Sequence, residues 1–325
     1  MIRRYGASPA WGLGEKRMSV SPARLLAALI LSLAASAVSA QDRSWTYLGW
    51  ANITTNDGTG DFQDRWQSFS TSTSFLFGPE GTRELPYAFG DLIEVRLGTQ
   101  IVTPANTLTP APGDRRAAGA LRAGLFTHFA RGGWDFGLGA GAEAVGPSTQ
   151  VLALQDRFHS VAGFDRLAPA VLAGQIGNAV RPMGHAEAAY AIAIGDEMTF
   201  RPFAEAHVGL EAYARVGFDL LVGPGYRSGV IARDYVSGQP YQILKDVNEP
   251  GVSFLFGADL ARVFSSALLP DPAYTLTPAR ARVRGGLLVD GEVGSVFYGL
   301  TYLSPEFTAQ PEGQFVGSVQ IRLKF

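Results

Sequence analysis

Alternation with a period of two runs through most of this chain and constrains its fold more than any other feature. The C-terminal segment shows it best. Phe315, Gly317, Val319, Ile321, Leu323 and Phe325 form one face, and Ser318, Gln320, Arg322 and Lys324 form most of the other. Successive side chains of a strand point to opposite sides, so such a segment separates an apolar from a polar surface. Ile93, Val95, Leu97, Thr99 and Ile101 alternate with Glu94, Arg96, Gly98 and Gln100. Phe69, Thr71, Thr73, Phe75 and Phe77 alternate with Ser68, Ser70, Ser72 and Ser74. Ala204, Ala206, Val208, Leu210 and Ala212 alternate with Glu205, His207, Gly209 and Glu211. Further strands are expected near 45–54, 119–130, 134–145, 184–194, 215–222, 252–263, 280–290 and 293–303. The total is about twelve, the even number that a bacterial barrel requires.

The pattern alone fits either a soluble sandwich or a membrane barrel. The terminal Phe325 and the placing of Tyr and Trp near strand ends favour a transmembrane antiparallel β-barrel with its apolar face in lipid. Only 17% of residues are charged, and they fall at alternating positions or in loops. Turn-rich stretches at 78–90, 103–118, 223–251 and 264–279 separate the strands. No linker divides the chain, so one barrel domain is expected over 41–325.

Residues 1–40 read as a signal peptide. Arg24 precedes the apolar run Leu25–Leu33, and Val38-Ser39-Ala40 precedes Gln41 as a small-residue cleavage site. Met18 is the alternative start, because the residues before it add nothing to a signal peptide. The run is too short for a spanning helix. The chain has no cysteine and a net charge of -2. A disulfide framework is thus excluded, a zinc-type Cys/His cluster is missing, and nucleic acid is not an expected partner.

One stretch breaks the alternation. Between Gly146 and Gly163, apolar residues recur at Val151, Leu154, Phe158 and Val161, which is helical spacing. Gln155 and His159 lie four apart, on one helix face. Two readings stay open here: a helix that carries chemistry, or a connection with an incidental imidazole. His128, His185 and His207 lie in or near strand patterns and read as lumen or interface side chains. The loop from Asn56-Asp57 to Asp64-Arg65 is rich in oxygen ligands for a hard cation such as Ca²⁺, but Asn, Asp and Gly also suit a plain surface turn. No G-x-S-x-G elbow occurs, and Ser160 cannot pair with the adjacent His159 on one helix face.

Scattered elements together resemble a known family, the outer-membrane lipid A 3′-O-deacylases of the LpxR type. They are Asn56-Asp57 with Asp64-Arg65, Leu97–Pro104, Pro112 with Asp114-Arg115 and Ala118-Gly119, Gly146-Pro147 with Gln155, His159 and Gly163, then Pro169, Gln175 and Asn178, and finally Tyr302–Phe307 with Gln310 and Phe315–Ser318. The resemblance implies a twelve-stranded barrel in the bacterial outer membrane. It also implies a Ca²⁺-dependent hydrolase that removes an ester-linked 3′-acyl chain from lipid A. In it His159 would be the general base, Gln155 would help hold the site, Asn56 and Asp57 would organise Ca²⁺, and Thr82 would be the contributing hydroxyl. Lipid A and outer-membrane lipid are the partners it implies. Three positions depart from the family pattern. Trp66-Gln67-Ser68-Phe69 replaces Tyr-Thr-Asn-Gly, Arg116 replaces a Pro, and Val171-Leu172 replaces Gly-Trp. The alternatives are a non-enzymatic barrel, such as a small channel or a structural protein, and an outer-membrane phospholipase. The known phospholipase type needs a Ser-His pair on the wall that is not found here.

Overall fold

The computed structural model describes residues 44–226, 229–244, 250–270 and 272–323. The expected signal peptide and the terminal Lys324 and Phe325 lie outside them. Strands β1 (Trp45–Asn56), β2 (Trp66–Pro79), β3 (Ile93–Thr103), β4 (Ala118–Arg131), β5 (Trp134–Val145) and β6 (Ala179–Tyr190) pair in sequence order. The stub β7 (Ile192–Ile194) continues β6 beyond Ala191. Strands β8 (Met198–Val208) and β9 (Glu211–Val222) follow, and the short β10 (Val230–Arg233) and β11 (Pro240–Leu244) form a separate hairpin. Then come β12 (Gly251–Ser266), β13 (Arg280–Asp290), β14 (Gly294–Leu303) and β15 (Gln314–Leu323). Counting β6 and β7 as one, the wall is a closed antiparallel barrel of twelve strands. β1 pairs with β15, and β6 pairs with β8 to close the ring.

The pleat sorts the alternating residues as the sequence predicts. Leu97, Leu125, Val216, Phe254, Leu260 and Val296 are exposed on the outside. Glu94, Arg96, Arg122, Glu143, Glu205, Arg215, Asp219, Asp259, Arg282 and Arg284 are buried inside. There they pair: Arg284 lies 2.5 Å from both Asp219 and Asp259, and Arg96 lies 2.6 Å from Glu94. An apolar exterior around an ionic interior suits a wall that meets lipid, because a soluble fold would reverse the two.

Two expectations need correction. The segment 204–212 is not one strand. The chain reverses at Gly209-Leu210, between β8 and β9, where alternation continues across the turn and so hides it. The stretch 223–251 is more than a turn. It holds the hairpin β10–β11, which leaves the rim opposite Asn56 and fills the lumen. Val230, Ala232, Arg233, Tyr241, Gln242, Ile243 and Leu244 are all buried, and the hairpin core packs on Ile53, Leu76, Leu255 and Leu288 of the wall.

The break in alternation is a helix. A single 3-10 turn at Pro147–Thr149 leads into α1 (Val151–Ala162), with Gln150 left-handed at φ 59° between them. Gly163, at φ 77°, ends it by donating its N–H to the His159 carbonyl. A short α2 (Pro169–Ala173) follows. The predicted apolar stripe is not the packed face. Val151, Leu152, Gln155 and Asp156 are buried, whereas Leu154, Phe158 and Val161 are exposed. Helix α1 therefore shows apolar residues on both sides, one to the wall and one outward.

Candidate active site

The site forms where β1 and β2 reach the upper rim. Asn56 ends β1 on the outward side of the pleat, opposite Phe69 of β2 and Gly317 of β15. The chain then makes a tight turn at Asp57–Thr59 and lies flush on β15. Thr59 Oγ1 donates to the Gly317 carbonyl, and the Tyr298 hydroxyl donates to the Thr59 carbonyl at 2.8 Å. A side chain at Gly317 would place its Cβ 2.2 Å from the Thr59 oxygen, so only glycine allows this approach.

Asp57 is 2% exposed. Its carboxylate accepts the Gly58 N–H at 2.8 Å and the Arg65 N–H at 2.7 Å. Burial pushes the carboxyl up to about 8, and the nearby Asp64 and Asp61 carboxylates add to the rise. Arg65 is drawn instead to Asp61 and Glu312. Phe62 and Trp66 hold positive φ angles of 62° and 49°. Such backbone is costly for large side chains and is held here by its surroundings. Trp66 Nε1 donates to Asp114 at 3.3 Å, and the Arg65 guanidinium lies over the indole.

A β-bulge between Gln67 and Phe69 sets the next part. It lets Gln67 point inward, where its amide donates to Glu306 and accepts from Gln100. It also frees Ser68 from the ladder. Ser68 Oγ donates to Asp64 at 2.5 Å, its carbonyl accepts from Asn56 Nδ2 at 2.9 Å, and Gln155 Nε2 reaches its Oγ at 3.5 Å. Ser68 thus links Asn56, Asp64 and helix α1. Its neighbours could not reveal this role, because alternation put Ser68 in a row with Ser70, Ser72 and Ser74. Only the bulge separates it from them.

Helix α1 sits against the outer face of β3 and β4. Val151 and Leu152 pack with Ile101, Ala117, Leu167 and Val171, and Phe69 borders the cluster. Gly119 lies directly beneath, and a Cβ there would come 2.7 Å from Val151 Cβ and 3.0 Å from Leu152 N. Asp156 pairs with Arg166 to hold the far end of the helix. Arg116 donates to the carbonyls of Gly174 and Gln175 at 2.5 and 2.6 Å. It ties the loop before β4 to the segment that leads back to the wall.

His159 lies one turn beyond Gln155, partly exposed, with its ring edge-on to Phe158 and Phe164. Its Nδ1 is 2.7 Å from the Asp165 carbonyl. A carbonyl only accepts, so Nδ1 carries a proton, and in the neutral ring the lone pair is left on Nε2. The structure therefore brings Asn56 and Gln155 together at Ser68, with Asp57 next to Asn56 in the chain and His159 one turn further along the helix. Thr82 is not among them. Pro79 pairs with Trp45 at the other end of β1, so Thr82, three residues on, lies a whole strand length away at the opposite rim. Its hydroxyl donates to the Pro79 carbonyl. The other three histidines belong to the lumen: His128 contacts Glu94, His207 stacks on Tyr213 beside Glu143, and His185 faces His207.

The family model described as outer membrane protein LpxR matches residues 25–325. The chain belongs to the LpxR family. LpxR from Salmonella typhimurium has a similar fold, with a TM-score of 0.69 and 18% identity over 87% of this chain and all of that one. An outer membrane channel from Pseudomonas putida F1 aligns over 88% of this chain and 98% of its own, at 10% identity and a TM-score of 0.40. No curated protein matches in sequence. Family and fold together place the barrel in the outer membrane.

Proposed function

We propose that this LpxR-family barrel is a lipid A deacylase that hydrolyses the ester-linked 3′-acyl chain with water activated by His159. One observation carries the reading: α1 is clamped to the outside of the barrel. Asn56 faces outward, and Gln155 meets Ser68 at the outer rim, so these polar groups sit beside the lipid-facing surface and not in the lumen. Leu154, Phe158 and Val161 extend that apolar surface from the helix. Acyl chains could thus stay in the leaflet while the ester linkage reaches the rim.

The chain's own groups suit the chemistry. His159 Nε2 would take a proton from water as the oxygen attacks the ester carbonyl carbon. As the tetrahedral intermediate collapses, the C–O bond to the sugar breaks and Nε2 returns the proton to the departing oxygen. The products are a fatty acid and a free sugar hydroxyl. Gln155, bonded to Ser68, would keep the helix in register with the Asn56-Asp57 corner. Among the described residues no three His, Asp or Glu side chains form a ready cage for an ion. The buried Asp57 carboxyl beside Asp61 and Asp64 nevertheless fits a hard cation. Asp57 and Asn56 would hold Ca²⁺, which would supply polarisation of the carbonyl.

The lumen hairpin and its ion pairs count against the channel reading. The test is mass spectrometry of lipid A from cells with and without the protein. Loss of one acyl mass from the 3′ position is expected, and unchanged lipid A would overturn the proposal.

A further inference from the structure

The hairpin β10–β11 enters from the rim opposite the candidate site, yet its tip ends directly behind that site. Asp234 and Ser237, both fully buried at the tip, meet Thr55, the residue before Asn56. Thr55 Oγ1 lies 3.3 Å from Asp234 Oδ2 and 3.4 Å from Ser237 Oγ. On its other side it lies 2.7 Å from Ser318 Oγ of β15. Ser72 of β2 donates to the second Asp234 oxygen at 3.3 Å. The carboxylate also accepts the Ser237 N–H at 2.8 Å and the Ser237 hydroxyl at 2.7 Å. It therefore bridges β1, β2 and the hairpin.

The tip is itself held firmly. The Asp234 N–H donates to the Gln239 carbonyl, and Gly238, at φ 70°, returns its N–H to the Asp234 carbonyl. Arg282 of β13 donates to the carbonyls of Tyr235 and Val236, and Gln239 Nε2 donates to Thr301 of β14 at 3.1 Å. The Tyr235 ring lies under the guanidinium groups of Arg96 and Arg122 and against His185 and His207. Four sectors of the wall thus fix the hairpin tip.

Side chains alternate along β1. A contact that fixes Thr55 inward fixes Asn56 outward and sets where Asp57 leaves the rim. We infer that the lumen hairpin is an internal brace, and that Asp234 is a positioning residue which holds the Asn56-Asp57 corner through Thr55. The inference rests on the proposed deacylase for its kinetic effect, but not for its structural one.

The test compares Asp234→Ala, Asp234→Asn, Thr55→Val and the Asp234→Ala/Thr55→Val double variant in the full-length barrel. Gln242→Ala, lower in the same hairpin, is the control. With lipid A in mixed micelles, Asp234→Ala should lower kcat roughly tenfold and leave KM within about twofold, because a displaced corner harms the reacting geometry more than acyl binding. Asp234→Asn, which keeps an acceptor oxygen for Thr55 and Ser237, should recover most of the loss. The double variant should be no slower than Asp234→Ala, as expected for two groups that act through one contact. Hydrogen exchange supplies the second readout: amides at 55–60 should exchange faster in Asp234→Ala and not in Gln242→Ala. Unchanged exchange at 55–60 in both Asp234→Ala and Thr55→Val would overturn the brace. So would an Asn variant no better than Ala, or additive losses in the double variant. If the wild-type barrel does not deacylate, the functional proposal falls and the exchange result still decides the brace. Should Asp234→Ala fail to fold, Thr55→Val and Asp234→Asn carry the same comparison.

Discussion

At the residue scale, the four histidines separate by environment. His159 is partly exposed in the last turns of α1, outside the barrel wall, so His159→Ala should leave the barrel intact. Its deacylation rate should nevertheless fall at least roughly a hundredfold, the usual cost of losing a general base. A rate assay with heat-modifiable gel mobility checks both halves, and a folded variant with wild-type rate would remove His159 from the chemistry. His207→Ala should behave in the opposite way. It breaks a stack on Tyr213 and a contact with Glu143, so it should cost about 1–3 kcal/mol of stability with most activity kept. Urea titration of the two variants would show the contrast. Ser68→Ala removes the hydroxyl shared by Gln155 and Asp64 and should slow hydrolysis roughly tenfold. Thr82→Ala, at the other rim, should change nothing in the same assay. For Asp57, activity should vanish with a chelator and return with Ca²⁺. Full activity in excess chelator would leave the buried carboxyl with another purpose.

At the element scale, α1 is defined more by what it rests on than by its own stripe. Gly119 allows the helix to touch β4, and a larger residue there must push the helix off the wall. Gly119→Val should therefore fold as a barrel yet lose most deacylation, because Gln155 could no longer reach Ser68. Protease sensitivity at 146–178 should rise in parallel. If activity survives with the helix displaced, the seat of α1 is not what assembles the site. The helix was legible from the spacing of Val151, Leu154, Phe158 and Val161. Its orientation was not, because Leu154, Phe158 and Val161 turn outward and Val151 alone of the four turns in. A helix in lipid can be apolar on both faces, so its periodicity marks a helix without marking its buried side. The bulge at Ser68 and the reversal at Gly209-Leu210 escaped for a related reason. Neither interrupts the alternation of residue types, although each changes where side chains go.

At the scale of the whole molecule, the barrel is braced from within by paired charges and by the hairpin β10–β11. A lumen filled in this way should not conduct. In planar bilayers the purified protein should show no steady single-channel openings, and a persistent conductance would favour the channel reading.

The sequence by itself determined about twelve alternating strands, each with an apolar and a polar face, and the break at 146–163 with its helix, while Phe325 and the Tyr and Trp near strand ends favoured the barrel. These follow from local rules, since the pleat and the helical turn sort side chains by residue type alone. It also pointed to Asn56, Asp57, Gln155 and His159 through the family resemblance. Only the tertiary structure decided which of the proposed residues meet. It placed Thr82 at the opposite rim, brought in Ser68, folded the hairpin β10–β11 into the lumen and set Asp234 behind Thr55. The physical reason is separation along the chain. Thr55 and Asp234 are 179 positions apart, and Gln155 and Ser68 are 87 apart. Contacts at such range depend on barrel closure and on register across strands, which no local pattern records.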